Sequence, residues 1–340
     1  MRRVTIKDIA KIAGVSYASV SRALSGSTEV SEATRERIVA ICEQEGYRVN
    51  TLARSLICQR SGVIGLVVPD ISNAFYAEIA FAIETYARRF GYNVMLCNTV
   101  HDARQTTDLF EYLVGHRVEG IIFASTRNDA RSWAAKYRDA VPVVLLGDAD
   151  SPGDPQGDRV NSVSLDNHAG GVLGAKYLYK LGHRRILYLG MRPVSITHQR
   201  RFQGYRMTME SLGLEPAVIE NPWDASTIEY GYQLAREAFS KQFPFTAAFC
   251  ASDSVALGAM QAAGECGVRI PEDVSLLGFD NVSYAALPRI CLSTIAQHQQ
   301  KLSEAAFDLL LRLIREDGEA ATTHRIVRPI LVERSTCIPI

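Results

Sequence analysis

One short stretch near the amino terminus combines side chains that suit recognition of bases in DNA. The segment is GVSYASVSRALSG, residues 14–26, and its pattern predicts a short helix. Tyr17 and Ser21 are four residues apart in it. The same spacing separates Ala18 from Arg22, so both pairs project outward from such a helix. Hydroxyl groups, a guanidinium and a small methyl group match the edges of base pairs in a major groove. The alternative is an exposed helix that has no partner.

The residues around this stretch predict three helices that would hold it in place. Thr5 can cap the first helix with Asp8 as its capping-box partner, and Gly14 is suited to end it. Ser16 can cap the second helix and Ser31 the third. The residues predicted to face a shared core are Ile6, Ile9, Ala10, Ala13, Val20, Leu24, Ile38, Ile41 and Cys42. Two short helices joined at a glycine turn and packed on a third are typical of a helix-turn-helix domain.

A short segment after these helices predicts a hinge. Asn50 can cap a helix that runs to about Leu56, which is too short to be stable alone in water. The polar linker CQRSG follows it. We therefore predict a helix-turn-helix domain at 1–48, a hinge helix and linker at 49–61, and a core at 62–340.

From residue 62 the pattern alternates between buried strands and amphipathic helices. GVIGLVVPD, VEGIIFAS, VPVVLLGD, TAAFCAS and VSLLGFD read as buried strands, and a last strand is predicted near 325–333. Such alternation predicts parallel sheets that are covered by helices on both faces. About ten strands are too many for one sheet of this kind, so we predict two doubly wound sheets of five or six strands. A ligand would then lie in the cleft at the carboxyl ends of the strands.

Composition narrows the class of protein. Residues 1–60 hold ten lysines and arginines against six acidic residues, whereas the other 280 residues hold 27 against 31. A small basic head on a mildly acidic body favours contact with a polyanion. The seven cysteines are dispersed without C-x-x-C spacing, which favours reduced thiols in a cytoplasm and argues against a zinc site. The amino terminus, MRRVTIKDIAKIAG, does not read as a signal peptide, and no apolar run is long enough to span a membrane.

Several blocks of the chain, in order, resemble the lactose-repressor family of bacterial transcription regulators. The segment from VTIKDIAKIAG to NTLARSL resembles the family's DNA-binding head and hinge. GLVVPDISNAFYAEI, YLYKLGHRRILYLG, RFQGY, ASDSVALGAMQAAGECGVRIPEDVSLLGFDN and STIAQ resemble its core, which is like that of periplasmic sugar-binding proteins. The resemblance implies a cytoplasmic, nucleoid-associated transcription regulator, and we expect it to be a repressor. It would bind a pseudo-palindromic double-stranded DNA operator as a homodimer under the control of a small effector, with a sugar as the expected class.

The resemblance also assigns roles to individual residues in the head and hinge. Tyr17, Ala18 and Arg22 match positions that read bases, and Leu56 matches a leucine that enters the minor groove. Asn50 and Ala53 lie in the same hinge helix, where Val49 replaces a usual proline. The complete predicted DNA-binding set is Thr5, Ser16, Tyr17, Ala18, Ser19, Ser21, Arg22, Asn50, Ala53 and Leu56.

In the core, the resemblance implies an effector site of polar and aromatic residues. Arg201 matches an arginine that holds ligand oxygens, and Asp280 matches an aspartate that accepts hydrogen bonds from ligand hydroxyls. The complete predicted set is Asn73, Phe75, Tyr76, Asp148, Arg201, Trp223, Ser252, Asp280 and Gln297. Two positions depart from the family pattern, since Gly147 stands at the usual aspartate position, one before Asp148, and Ser252 replaces a frequent asparagine. Directional hydrogen bonds together with aromatic cover over C–H groups suit a sugar.

Other interpretations of the same residues remain open at this point. Phe75, Tyr76 and Trp223 also fit ordinary core or surface positions, and Arg201 and Asp280 also fit a structural ion pair. HAGGVLGA resembles a dinucleotide loop, but it lacks the G-x-G-x-x-G spacing, and no acidic residue ends the strand that follows. No hydrolase or metalloprotease motif is found and the seven histidines lack metal-ligand spacing, so we expect neither an enzyme nor a cofactor or metal. A secreted sugar-binding protein would fit the core but not the basic head. No apolar heptads follow the last strand, so we expect a dimer rather than a tetramer.

Overall fold

The computed structural model describes residues 4–24, 29–47, 60–100, 102–148, 160–223, 225–240, 245–316 and 321–340. The chain forms two compact units, residues 1–61 and 62–340. Asn50, Ala53 and Leu56 of the predicted hinge lie outside the described residues.

The helices and strands alternate through most of the second unit. The helices are α1 (Ile6–Ala13), α2 (Tyr17–Leu24), α3 (Glu32–Gln44), α4 (Ala74–Arg88), α5 (Ala103–Gly115), α6 (Ala130–Tyr137), α7 (Asn167–Lys180), α8 (Ile196–Ser211), α9 (Ile228–Ser240), α10 (Asp253–Glu265) and α11 (Gln299–Arg315). The strands are β1 (Val63–Val68), β2 (Asn93–Asn98), β3 (Ile121–Ala124), β4 (Val143–Leu146), β5 (Asn161–Leu165), β6 (Ile186–Met191), β7 (Ala217–Glu220), β8 (Ala247–Cys250), β9 (Ser275–Asp280), β10 (Ser293–Ala296), β11 (His324–Val327) and β12 (Ile330–Val332).

The first unit is a three-helix domain held by short-range caps. Thr5 and Asp8 form the predicted capping box on α1, and Gly14 ends that helix with a φ of 65°. Such a φ favours glycine because it has no Cβ. The buried core contains Ile9, Ala10, Ala13, Val20, Ala23, Ile38 and Cys42. Helices α1 and α2 therefore pack on α3 through one small apolar cluster, as predicted for a helix-turn-helix.

Two local expectations for this unit need correction. Ala23 is fully buried, whereas Leu24, which was expected in the core, is only half-buried at the end of α2. Ser31 precedes α3, but its hydroxyl contacts the Thr34 hydroxyl at 2.9 Å and makes no cap to the backbone. Leu24 is the last residue of its helix, so its side chain only borders the cluster.

The second unit contains two six-stranded sheets. The first has the order β11-β5-β4-β3-β1-β2 and is parallel throughout. The second has the order β12-β10-β9-β8-β6-β7, in which only β12 runs antiparallel to its neighbour. Helices cover both faces, as buried apolar strands require. We call these sheets with their helices the first lobe and the second lobe.

The chain passes between the lobes three times, at residues 165–167, 296–299 and 327–330. As a result, α11 packs on the first lobe although it follows the strands of the second. Its apolar residues Leu302, Phe307 and Leu310 join the cluster of Ile64 and Leu66. The two lobes are therefore interleaved in sequence and each is completed by the carboxyl-terminal part of the chain.

The predicted strand at 325–333 is wrong in one respect, because it is two strands in different sheets. Strand β11 ends at Val327 and β12 begins at Ile330, with Pro329 between them. Proline has no N–H to donate to a sheet, which suits a break at this place. Strands β5 and β10, NSVSL and STIA, were missed because they are short and partly polar.

The glycine-rich segment HAGGVLGA lies in α7 and serves helix packing. A Cβ on Gly171 would lie 1.9 Å from the Arg201 carbonyl oxygen, and one on Gly204 would lie 2.1 Å from the His168 carbonyl oxygen. Gly170 and Gly174 face the rings of Phe279 and Phe249. The glycines therefore let α7 and α8 approach each other and the sheet closely. This packing explains the glycine-rich segment without a nucleotide-binding role.

Candidate functional site

Helix α2 presents a polar outer face. The Tyr17 side chain is 59% exposed, whereas Val20 on the opposite side is fully buried. The Ser16 hydroxyl accepts a hydrogen bond from the Ser19 backbone N–H at 3.1 Å, so it caps α2 as predicted. Ala18, Ser19 and Ser21 are half-buried, and Thr5 is exposed at the start of α1. The structure thus brings the predicted residues of the head together around one exposed helix.

Arg22 supplies the positive charge of this face. Its Nε lies 3.1 Å from an oxygen of Glu29, and both side chains are more than half exposed. An ion pair this exposed stabilises the fold little, by about 0–1 kcal/mol. The guanidinium can therefore exchange Glu29 for a base edge or a phosphate at low cost.

A cleft lies between the two lobes of the second unit. It is lined by the carboxyl ends of strands from both sheets and has an empty volume of about 790 Å³, including its opening to solvent. Asp70 follows β1, Ser125 follows β3, Arg192 follows β6 and Gln297 follows β10. Its place is the one expected for a ligand of parallel sheets.

Arg201 is the centre of the polar network in this cleft. Its Nε donates to Asn167 Oδ1 at 2.8 Å, and its Nη1 donates to the Ala251 carbonyl at 2.8 Å. The same Nη1 lies 3.5 Å from an oxygen of Asp280. The guanidinium also stacks 3.7 Å from the centre of the Phe279 ring. These contacts engage Nε and Nη1 and fix the guanidinium plane of a residue that lines the cleft.

Asp280 faces Arg201 across the same network. It is buried at the end of β9 with a φ of 123°, which is rare for a residue with a side chain. Gln297 donates its amide N–H to the Asp280 carboxylate. Burial raises the pKa of Asp280, and the Arg201 guanidinium partly offsets this. The carboxylate is thus oriented from two sides and can accept hydrogen bonds from hydroxyl groups.

A second buried carboxyl lies beside it. Asp253 accepts hydrogen bonds from the Thr294 hydroxyl at 2.6 Å and from the Val282 backbone N–H at 2.9 Å. Burial and the neighbouring Asp280 raise the pKa of Asp253 well above its usual range. Asp253 therefore supports the loop after β9 and does not line the cleft.

Most of the predicted effector residues line the cleft. These are Asn73, Phe75, Tyr76, Arg201, Ser252, Asp280 and Gln297. Two of them also cap helices, since Asn73 Oδ1 accepts from the Phe75 N–H at 3.0 Å and Ser252 Oγ accepts from the Val255 N–H at 3.2 Å. Burial raises the pKa of Tyr76 to about 12, so its hydroxyl is neutral.

Two predicted residues do not line the cleft. Asp148 is buried behind it, where it accepts from Arg200 Nη1 and Asn167 Nδ2, both at 2.9 Å. The Trp223 ring stacks on Tyr230, with the ring centres 4.4 Å apart. The spacing of Trp223 did not match the family's, and the structure gives its ring a packing role.

Sequence analysis missed several other lining residues. They are Asp70, Ser125, Thr126, Asn167, Arg192, Thr197, His198 and Ser226. Asp70 and Ser125 are the last residues of predicted strand segments and Arg192 comes two residues after another, RILYLG, so the rule for carboxyl ends would have found them. Asn167, Thr197 and His198 lie in first turns of helices, and nothing in the local pattern marks them.

Comparison with known proteins places the three-helix domain and the two-lobed core in one family. Residues 5–50 match "Bacterial regulatory proteins, lacI family", and residues 175–337 match "Periplasmic binding protein-like domain". The HTH-type transcriptional repressor PurR of Vibrio vulnificus is 32% identical over 338 residues, which cover 98% of each chain. The chain belongs to the LacI family. This LacI-family chain is thus a DNA-binding transcription regulator.

Solved structures agree with that assignment along the whole LacI-family chain. The Lac repressor dimer bound to operator and the anti-inducer ONPF has a TM-score of 0.86 and 28% identity, covering 98% of this chain and 99% of that chain. The complex of the transcriptional regulator CelR with cellobiose has a TM-score of 0.71 and 26% identity, covering 98% and 100%. Both match this chain from the head through the two-lobed core.

Metal sites and membrane-spanning helices are not found in the described part of this LacI-family chain. Among the described residues, no group of three or more histidine, cysteine, aspartate or glutamate side chains is placed to hold a metal ion. None of the described helices has the length and apolar character needed to cross a membrane.

Proposed function

We propose that this protein represses transcription by binding a pseudo-palindromic operator as a homodimer, and that a neutral sugar in the cleft controls its operator affinity. The proposal assigns base reading to Tyr17, Ala18 and Arg22 on α2. It assigns the effector to the cleft that contains Arg201 and Asp280. Because the operator lies on the bacterial chromosome, the protein acts in the cytoplasm.

The observation that carries the effector assignment is the oriented Arg201–Asp280 pair. A guanidinium and a carboxylate that both line the cleft, the carboxylate held by Gln297, together match the donor and acceptor character of a hydroxyl group. Phe75 and Tyr76 add aromatic edges, with ring centres 5.2 Å apart. Such a site suits a molecule with many hydroxyls and apolar C–H faces. The complex of the related CelR with cellobiose supports the same class of ligand.

A homodimer is supported by an exposed apolar surface on the first lobe. Phe81 on α4 is 73% exposed, and Leu96 lies exposed on the edge strand β2, against which α4 packs. Val100 follows that strand and is exposed as well. Apolar side chains on an unpaired sheet edge favour a second copy of the chain as the partner.

Control of operator affinity is supported by contacts that cross the cleft. Arg200 of the second lobe pairs with Asp148 of the first, and Asn73 Nδ2 donates to the Ser226 carbonyl at 3.3 Å. Arg200 and Arg201 lie on the same helix, so a ligand held by Arg201 acts on the helix that carries the Arg200–Asp148 contact. A ligand that binds one lobe arrangement more tightly shifts the population toward it. In a homodimer, such a shift would be the step that couples the cleft to operator affinity.

The test combines ligand screening with operator binding. Thermal unfolding would be measured with D-ribose, D-galactose, D-glucose, cellobiose and the common nucleobases, followed by operator binding by fluorescence anisotropy with each compound that stabilises the protein. We expect a neutral sugar to raise the melting temperature and to change operator affinity at least tenfold, because coupling free energies are typically about 1–3 kcal/mol. Stabilisation by a nucleobase alone would replace the sugar. A sugar that binds without changing operator affinity would refute the regulatory role of the cleft.

A further inference from the structure

The loop that follows β9 joins the second lobe to the first. Glu78 on α4 accepts a hydrogen bond from the backbone N–H of Ser283, with 2.7 Å between Oε1 and N. Helix α4 packs on the first lobe, whereas Ser283 begins a short 3₁₀ helix, Ser283–Ala286, three residues after β9 of the second. An ionised acceptor makes a stronger hydrogen bond than a neutral one. This contact ties the lobes together at a place other than the three passages of the chain.

The loop between Asp280 and Ser283 is held in a fixed shape. Arg334 Nη2 donates to Asn281 Oδ1 at 2.7 Å, and Gln299 Nε2 donates to the Asp280 carbonyl at 2.9 Å. Asp280 and Asn281 have φ values of 123° and 58°, which residues with a side chain adopt only where their surroundings fix them. Such a loop transmits a displacement of Asp280 to Ser283 instead of absorbing it.

Helix α4 carries the contact between two other features. Its first turn contains Phe75 and Tyr76, which line the cleft. Phe81 lies three residues after Glu78 and belongs to the exposed apolar surface of the first lobe. Residues three apart on a helix are neighbours on its surface. The bond at Glu78 therefore acts on the helix that holds both a wall of the cleft and this surface.

We propose that Glu78 is a positioning residue, which stabilises the lobe arrangement of this structure through Ser283 and thereby sets operator affinity. The inference rests on the proposed function, because it concerns the same effector and operator. In this arrangement residues of both lobes line the cleft, so the effector binds it more tightly than an open one. Glu78 and the effector thus favour the same arrangement of the lobes.

Four substitutions isolate this hydrogen bond. Glu78→Ala removes the acceptor, whereas Glu78→Gln keeps an acceptor oxygen. Ser283→Pro removes the donor, and the backbone allows it. Val282 has φ −66° and ψ 157°, which suit a residue before proline, and proline suits the first position of a helix. Glu304→Ala is the matched control, because Glu304 accepts from Gln300 within α11.

Hydrogen exchange tests the contact without any ligand. Exchange at the Ser283 amide would be followed by mass spectrometry in the full-length protein. We expect faster exchange in Glu78→Ala than in wild type, because a hydrogen-bonded amide exchanges only when the bond opens. Glu78→Gln and Glu304→Ala should exchange like wild type. Equal exchange in wild type and Glu78→Ala would overturn the inference and leave the proposed function intact.

Operator binding without effector tests the consequence of the contact. Fluorescence anisotropy would use a DNA duplex selected from a random pool by the wild-type protein. Glu78→Ala and Ser283→Pro should change the affinity in the same direction by about threefold or more, the size expected for one hydrogen bond. The double variant should match either single one, because both remove the same bond. Unchanged affinity in the single variants, or additive effects in the double variant, would overturn the inference.

Sedimentation separates this role from a role in dimerisation. Glu78 lies one turn before Phe81, so the variants are compared with wild type by analytical ultracentrifugation. We expect every variant to keep the oligomeric state of wild type. A monomeric Glu78→Ala protein would place Glu78 in the interface between copies and would overturn the inference.

Titration with sugars tests the link to the effector. D-ribose, D-galactose, D-glucose and cellobiose would be titrated into wild type and the variants by calorimetry. The sugar that binds wild type should bind Glu78→Ala about threefold or more weakly and Glu78→Gln nearly as well as wild type. It should shift operator affinity in the direction opposite to Glu78→Ala. Equal sugar affinity in wild type and Glu78→Ala, or a shift in the same direction, would overturn the inference. If no sugar binds while exchange and operator affinity change as expected, the sugar class of the proposed function fails and the role of Glu78 stands.

Discussion

Single residues set the chemistry that the cleft offers to a ligand. Arg201 and Asp280 are both nearly inaccessible, and each is held by two or more protein groups besides the other. Such preorganisation lowers the entropic cost of binding, because the ligand does not have to order these side chains. It also means that removing one partner leaves the other as an incompletely compensated buried charge.

We predict that Arg201→Ala and Asp280→Asn each weaken effector binding by about 2–3 kcal/mol, since each leaves a buried polar partner unpaired. Calorimetric titration of the recognised sugar measures this. Arg206→Ala is a matched control on the same helix, because among the described residues Arg206 forms an exposed pair with Glu210 and lies outside the cleft lining. Operator affinity without effector should be nearly unchanged in all three. A normal response of both site variants to the effector would show that the pocket is assigned wrongly.

We predict that Arg22→Ala lowers operator affinity by about 1–3 kcal/mol and relaxes the preference at one base pair in each half-site. The reason is that Arg22 is the only guanidinium that the structure describes on the outward face of α2. Anisotropy titrations with the operator and with single-base variants measure both effects. An equal loss on operator and on random DNA would instead make Arg22 a phosphate contact.

Burial lowers the pKa of His198, in the first turn of α8, and this makes the free energy of unfolding depend on pH. Its pKa in the folded chain is lowered, so below about pH 6.5 the unfolded chain binds a proton that the folded chain does not. The free energy of unfolding contributed by this group is thus fully present above that pH. It falls by about 1.4 kcal/mol per pH unit below it, until the folded-state pKa is reached.

We predict that His198→Phe removes this share of the acid destabilisation. Urea unfolding of both proteins at about pH 7.5 and about pH 5.5 measures the difference, which should be about 1–1.5 kcal/mol. The raised pKa values of Asp253 and Asp280 have the opposite effect, because these groups stabilise the folded state as the pH falls. Both groups are present in the wild type and in the variant, so their effect cancels in the comparison. Identical pH profiles would mean that His198 is already charged or exposed in the folded state.

At the scale of elements, the approach of α7 to α8 sets the position of the cleft residues. The helices are in contact where Gly171 meets the Arg201 backbone, and Asn167 at the start of α7 holds the Arg201 side chain. One helix pair therefore controls both the backbone and the guanidinium of the same residue.

We predict that Gly171→Ala destabilises the core by about 1–3 kcal/mol and weakens effector binding as well. Its Cβ would overlap a backbone carbonyl, so the helices must separate. Gly264→Ala in α10 is the matched control, because nothing lies within 4 Å of its Cβ. It should be neutral or stabilise by up to about 1 kcal/mol, since alanine is the better helix former. Denaturant unfolding and calorimetry measure the two effects, and equal stability of both variants would contradict the tight crossing.

How far the sequence predicts these elements depends on how local their signals are. The caps at Thr5, Gly14 and Ser16 and the buried strands are encoded within a few residues, and the structure confirms them. The strands NSVSL and STIA escaped because pairing with neighbours, not their own pattern, makes them strands. Likewise, Arg201 and Asp280 match family motifs. His198 matches none, and only the packing of α8 against the cleft shows that it is a lining residue.

At the scale of the whole molecule, the exposed apolar surface of the first lobe predicts that one charged substitution there dissociates the proposed dimer. Phe81→Asp would place an unpaired carboxylate in the proposed interface between two copies, where desolvation opposes its burial. We expect the dimer to become a monomer at micromolar concentration. Operator affinity should fall by about 10²-fold or more, because the two heads no longer act together.

Analytical ultracentrifugation and operator titration measure these two outcomes. Met207→Asp is the control, since Met207 is 48% exposed on α8 of the second lobe, whereas α4 and β2 belong to the first. It should leave the dimer intact. A dimeric Phe81→Asp protein would locate the interface elsewhere, and a tetrameric wild type would contradict the expected oligomeric state.

The interleaving of the lobes also matters while the chain is being made. A ribosome releases β1 to β5 long before α11 and β11, which complete the first sheet. Until then, the apolar surface that Leu302, Phe307 and Leu310 later cover remains open to water and to other nascent chains. The lobe whose strands are synthesised first is therefore completed only after the carboxyl-terminal part of the chain has been made.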